Sequence, residues 1–284
     1  MGSFLKDTLT IAELTFREMR RRKIVWAALG LGMAFIAIYS VGFYYIVQDM
    51  RRTPYYVGRD ITLDTGFNFT VMAALYVVSF LGVMLAVLIS VGTLSGEISS
   101  HTIQALAVKP FPRAVLVLGK WLGLALMLAV FIALLAAGVI LATWRIADYV
   151  LPHALEGVLL IILQALIMLS VSLLGGTRLS TVANGVVAFM FYGLAFVGGW
   201  IEQVGAFLNN DTAVDIGIIS SLLVPSEAMW KMAAYKMQPP VVRALGASPF
   251  ASPSAPSTAM LIYALVYTLG LLALAVHSFN RRDL

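Results

Sequence analysis

The residues able to do chemistry in this chain are few, and their spacing argues against most reactions. The one Gly-Lys pair, Gly119-Lys120, is followed by Trp121. A phosphate-cradling loop needs an earlier glycine and a Ser/Thr after the lysine, so that backbone amides hold the phosphates and the hydroxyl reaches magnesium. Both are missing, so this chain does not hydrolyse ATP by that device. The Gly-x-Ser-x-Gly elbow of a serine hydrolase is absent as well. There is no cysteine, which removes disulfides, iron–sulfur clusters, thiolate zinc and cysteine nucleophiles together. His101, His153 and His277 fall on both sides of the membrane in the topology derived below, so they do not share a metal. Met229, Met232 and Met237 could offer thioethers to Cu(I), but methionine more often serves as a flexible hydrophobe. No catalytic, cofactor or metal site is assigned.

The densest polar stretch near the apolar runs is Leu94–Arg113, which keeps a helical period at Ile98, Thr102, Ala105 and Leu106. Pro110 has no amide donor and biases Lys109 away from helical geometry, whereas Pro112 suits the first turn of a new helix. The pattern predicts helix, sharp turn, helix along a membrane face. That is a stiff element through which a separate motor could push; an ordinary connecting loop is the plainer alternative.

The elements that must hold this segment are written in the composition. Of 284 residues, 61% are hydrophobic and 12% charged, with mean hydropathy +0.92, against about 45–50% apolar in an ordinary soluble domain. Disorder and a soluble globule are both excluded. A spanning helix needs about 20 apolar residues, and charge-poor runs supply six, at about 24–47, 71–93, 121–144, 157–175, 181–201 and 259–279. The runs are continuous and lack the alternation of a barrel strand, so an all-α polytopic membrane protein is expected.

Net charge +5 acquires meaning only by position. Lys6, Arg17, Arg20, Arg21, Arg22, Lys23, Lys109, Arg113, Lys120, Arg178, Arg281 and Arg282 lie on one side, twelve of the nineteen basic residues. The positive-inside rule places that side, with both termini, in the cytoplasm. A membrane surface and not nucleic acid is the implied counterpart of the charge. The first apolar run is longer than the core of a signal peptide and reads as a retained anchor; no myristoylation signal follows Met1-Gly2.

Residues 1–23 precede the six-helix domain, 24–284. Leu5, Leu9, Ala12, Phe16 and Met19 form an apolar stripe between charged faces that include Glu13, Arg17 and Arg20, the signature of an amphipathic interfacial helix. It either lies on the leaflet and touches a soluble partner, or serves as a basic leader drawn to anionic lipid. The span interiors carry no formal charge, so a proton relay or voltage sensor has nothing to attach to. Small residues recur at four-residue spacing, Gly82, Ala86 and Ser90, then Ala125, Ala129, Ala133 and Ala137, and read as packing ridges. Gln164, Asn184 and Tyr192 either face a cavity or bond between helices.

The longest extramembrane stretch, 202–258, is an external segment. Within it Ser226–Met237 reads as a short helix with Met229, Trp230, Ala233 and Met237 on an apolar stripe and Glu227, Lys231 and Lys236 polar, at headgroup level. A Pro/Ser/Ala run at 248–257 is an extended spacer.

This layout resembles the permease subunits of type-2 ABC transporters over essentially the whole chain. The most specific likeness is Gly96-Glu97, then His101-Thr102, the aliphatic run Ile103–Val108, Lys109-Pro110, Arg113 and Gly119-Lys120, with His101 where the family has Gly. The leader Thr15–Lys23 is also similar. The resemblance implies a dimeric pore, formed with a second permease copy or close homologue, in a bacterial or archaeal inner membrane. It further implies that segment 94–113 is a coupling helix docking on a separate ATPase subunit, which would bind the ATP and Mg, and that transport is export. Glu97 and Arg113 are then expected to position the lever and Ile103 and Leu106 to form its apolar face. Two other classes remain: a membrane anchor or assembly factor for an external partner at 202–258, and an intramembrane enzyme. The transported substrate is not legible.

Overall fold

The computed structural model describes residues 2–52, 59–96, 112–245 and 257–282. The lever residues Glu97, His101, Thr102, Ile103, Leu106, Lys109 and Pro110 lie outside them. The described elements are helices: α1 (Gly2–Arg21), α2 (Lys23–Arg52), α3 (Arg59–Ser90), α4 (Arg113–Ala147), α5 (Ala154–Gly176), α6 (Thr181–Phe207), α7 (Asp211–Leu223), α8 (Ser226–Met237), α9 (Pro240–Leu245) and α10 (Thr258–Asn280). No strand occurs among the described residues. Among the described residues six helices are long and apolar enough to cross a membrane: α2, α3 from Leu63, α4, α5, α6 and α10. An all-α polytopic membrane protein is the result, as the uninterrupted apolar runs require.

The spans differ in depth of burial. In α5 67% of the apolar window is inside the protein and in α3 61%, against 17% in α2 and 22% in α10. The core lies where α3, α4 and α5 meet, around Leu75, Val78, Leu128, Ile132, Ile161 and Met168. α2 touches it along one stripe only, Val25, Gly32, Tyr39, Phe43 and Val47, and leaves Leu31, Met33 and Ile38 outward, as a helix bordering lipid should. Gln164 and Asn184 prove to be bonders between helices. Gln164 Oε1 accepts from Ser79 Oγ at 2.6 Å. Asn184 Nδ2 donates to the Ser172 carbonyl at 2.9 Å and the Val91 carbonyl at 3.3 Å. Of the two small-residue ridges, Gly82, Ala86 and Ser90 pack inward, with the Ile132 methyl 2.8 Å from where a Cβ on Gly82 would stand. The second packs only at its start: Ala125 is buried and Ala129 half-buried, Ala133 and Ala137 are exposed, and the close seat on α4 is made by glycines at its beginning.

Those glycines hold α1. Cβ atoms at Gly119 and Gly123 would stand 2.9 Å from the Thr8 carbonyl and 2.5 Å from the Ala12 carbonyl. Thr8, Thr15 and Met19 are buried in this seat, and the chain turns through Arg22 into α2, with Trp26 Nε1 bonding the Arg20 carbonyl across the turn. The expected stripe therefore splits, because Leu5 and Leu9 are exposed. An apolar surround exists on two sides of such a helix, protein and lipid, so polarity alone does not identify which face meets protein.

The start of α4 carries α1, and the end of α10 lies against both the start of α4 and the end of α5. Both termini are thus at one end of the bundle, and α6 and α10 run in opposite directions between the two ends. The bent pair α7–α8, at 109°, must begin and finish at the far end. It is a re-entrant hairpin. Its bend reaches Tyr267, whose hydroxyl donates to the Leu223 carbonyl at 2.8 Å, about 13 Å along α10 from Thr258 at 1.5 Å per residue.

Gly123→Val is expected to unseat α1 and lower stability by about 1–3 kcal/mol, the usual overpacking cost. Gly30→Ala, with nothing within 4 Å of the new methyl, should leave it unchanged or slightly raised. Thermal unfolding of the purified chain in detergent reads both.

Candidate functional site

Two groups of polar side chains stand out, one at each end of the bundle. The first frames the ends of segment 94–113. Arg113 opens α4 after Pro112, which is the residue before the first turn and not inside it. One Arg113 guanidinium nitrogen donates to the carbonyls of Phe279 (3.2 Å), Asn280 (3.1 Å) and Arg282 (2.7 Å). The last carbonyls of a helix have no intrahelical partner and form the negative end of its dipole, so a cation there closes α10 and ties it to α4. Arg282 returns the contact by donating to the Thr177 carbonyl. Ser278 Oγ meets Thr177 Oγ1 and Arg178 Nε, both at 2.9 Å.

The incoming end of the segment is held similarly. Lys120, buried on α4, donates to the Thr93 carbonyl at 3.2 Å. Ser95 Oγ meets Thr181 Oγ1 at 2.9 Å, and the Gly96 amide continues the turn onto the Gly92 carbonyl at 3.0 Å. Of the expected lever residues, the structure places Gly96 and Arg113, at the two borders of 97–111. It adds Lys120, Ser95, Thr177, Ser278 and Arg282, whose roles depend on contacts between distant parts of the chain. On α1, Arg17 pairs with Glu13, and both, with Phe16, Arg20 and Arg21, line an open hollow of about 460 Å³. The two borders of 97–111 are thus bonded to α3, α4, α6 and α10.

The second group sits on the hairpin. α7 lies close along α6 because Gly198, Gly205 and Gly217 lack side chains where the two helices touch, and Ser220 Oγ bonds the Leu194 carbonyl at 2.9 Å. α8 then returns toward the far end between α3, α5 and α6. Its bounds, Ser226–Met237, coincide with the expected helix, but its placement differs. Ser226 through Ala234 and Met237 are all buried, so it is an interior element and not an amphipathic helix at headgroup level. The Met237 side chain packs over Gly157; Lys236 pairs with Glu156.

The hairpin also overturns the expectation of a charge-free interior. Lys231 Nζ meets Glu202 Oε2 of α6 at 2.7 Å, both side chains nearly buried. Glu227, 4% exposed, lies one turn deeper with Oε2 lacking any hydrogen-bond partner. Its Cγ is 2.5 Å from where a Cβ on Gly199 would stand. α8 is outside the six spans, and burial pushes the Glu227 carboxyl up to about 8, reinforced by Glu202 and opposed by Lys231. Tyr76 and Tyr192 face it, and both belong to a chain of ring contacts of 4.9–6.5 Å that also joins Phe196, Trp200 and Trp230. The sequence held one signal for this arrangement: a 13-residue apolar helix, too short to span and ending at Val224-Pro225, fits a re-entrant segment.

Six helices fit to cross a membrane, a hairpin re-entering from one end and a tied base at the other define a multi-pass membrane protein. Residues 9–284 match the ABC-2 family transporter proteins, and the chain belongs to that family, as a permease subunit. None of the curated proteins matches it.

Because the folded state keeps a proton on Glu227 that the unfolded chain releases above the ordinary value of 4.5, its contribution falls as pH climbs from there toward about 8. Glu227→Gln is therefore expected to raise the melting temperature at pH 8 and to change it little at pH 4.5. Separately, Arg113→Ala leaves three carbonyls short of their donor and should cost about 1–3 kcal/mol, with Arg113→Lys recovering part of it; denaturation of the purified variants measures this.

Proposed function

We propose that this chain is the membrane half of an ATP-driven exporter, working as a dimer with a second permease copy and coupled through segment 94–113 to a separate ATPase subunit that binds ATP and Mg. The observation that carries the reading is the tied frame at both borders of that segment. A lever is useful only if its displacement is transmitted, and here its two ends are bonded to four spanning helices. Glu97, His101, Thr102, Ile103, Leu106, Lys109 and Pro110 form the docking face, and Glu13, Arg17 and Arg20 of α1 flank it. ATP-driven closure of two ATPases then swings the base, and the hairpin at the far end opens the outer side. The membrane is a bacterial or archaeal inner membrane, with the tied base and both termini in the cytoplasm.

The anchor or assembly-factor reading needs 202–258 to project toward an external partner. The burial of α8 among the spans supports transport instead, and no pair of catalytic groups in the described spans speaks for an enzyme. The test is co-purification from native membranes. A stoichiometric partner with a nucleotide-binding loop is expected, and joint substitution of Glu97, Ile103 and Leu106 should remove at least about nine-tenths of transport-coupled ATP hydrolysis while the chain stays folded. A chain that remains alone, or a triple variant coupled like the wild type, would sink the assignment.

A further inference from the structure

The buried hairpin carries more negative than positive charge. Glu202 and Glu227 are served by one lysine, and Lys231 is committed to Glu202 at 2.7 Å. Glu227 is left with an oxygen that is buried and unbonded, and its side chain packs over the bare backbone of Gly199 on α6. The charged and titratable groups facing it are Glu202 and Tyr192 of α6, Tyr76 of α3 and Lys231 of its own helix. A proton satisfies such a carboxyl at rest; so does any cation that can reach it.

The surroundings specify which cation. The Tyr76 and Trp230 rings lie 4.9 Å apart, Tyr76 continues to Phe196 at 6.4 Å, and Phe196 to Tyr192 at 6.3 Å and Trp200 at 6.5 Å. Phe80 joins the wall through Tyr192 at 6.3 Å, and Trp200 and Phe80, 39% and 42% exposed, carry it to the lipid-bordering surface of the spans. A divalent metal wants about six oxygen ligands, and no acidic or histidine cluster fit for one exists among the described residues. An aromatic network beside a desolvated carboxylate instead suits a large, weakly hydrated organic cation, which ring faces attract.

We propose that Glu227 and the rings of Tyr76, Tyr192, Phe196, Trp200 and Trp230 form a recognition site for a lipophilic organic cation, the cargo class of the exporter. This rests on the transport reading above. Binding exchanges one proton for one cation: the carboxylic O–H breaks, the proton leaves to water, and the carboxylate becomes the counter-ion of the cargo.

The probe is tetraphenylphosphonium, with tetraphenylborate as the same shape of opposite charge, and equilibrium dialysis against the purified full-length chain in lipid nanodiscs as the readout. Saturable binding of the phosphonium is expected, tightening about tenfold per pH unit until about pH 8, where the carboxyl is ionised. Glu227→Gln should weaken it at least about tenfold and abolish the pH dependence, while Glu227→Asp keeps the pH dependence at lower affinity. Both variants must elute as the wild type does, and Trp200→Ala, which leaves the carboxyl untouched, should weaken binding about threefold to tenfold. Absence of saturable binding, equal binding of tetraphenylborate, or an unaffected Glu227→Gln would each overturn the site. The ATPase co-purification is independent: a partner found without phosphonium binding keeps the exporter and ends this cargo assignment, whereas binding without a partner ends the exporter and keeps the site.

Discussion

In hydrocarbon a peptide group has no water to turn to, and every other feature of this protein follows from how that constraint is met. Six helices satisfy it within themselves. The hairpin cannot, because its bend leaves helix ends inside the protein. The last carbonyls of α7 are taken by the hydroxyls of Tyr263 and Tyr267 on α10, and a serine of α7 bonds back to α6. Once these donors are in place the bend is secured, and α8 is delivered into the interior with whatever its sequence carries. Two of its buried side chains, Glu227 and Lys231, are charged types, which is how charge enters a bundle whose spans have almost none.

The six spans were legible because length and hydropathy are direct consequences of bilayer thickness, and their count needed no contacts. What escaped was arrangement. Nothing in the order Ser226–Met237 distinguishes a helix lying in headgroups from one surrounded by protein; Lys231 and Glu227 read as a solvated face until Glu202 and Gly199 stand opposite them. The same limit split the α1 stripe, where threonines over glycine turned out to be the inner face and leucines the outer. Arg113 was noticed through its place in a family pattern, yet its partners are carbonyls of α10, invisible to any local reading. Of the expected coupling residues between 96 and 113 only the borders, Gly96 and Arg113, lie within the described residues.

The two polar groups are joined by continuous helices. α3 passes from Thr93 beyond its base end to Tyr76 beside the hairpin, and α6 from Asn184 to Gly199 and Glu202. Packed cores transmit displacement because they are dense and change in discrete steps. If the base moves as proposed, these helices are the path by which the movement would reach the α6 surface on which Glu227 packs, at Gly199.

The Arg113 clamp has a consequence for how the protein is made. Its acceptors lie 166 to 169 residues further along the chain. On a ribosome, α4 is threaded into the membrane long before the carbonyls it will hold exist. During that interval five helices, α5 to α9, follow an arginine still facing water, and the arrival of α10 closes the second border. The partners of the first, Lys120 and Thr181, precede α10, so a nascent chain halted before α10 would carry one border tied and the other open.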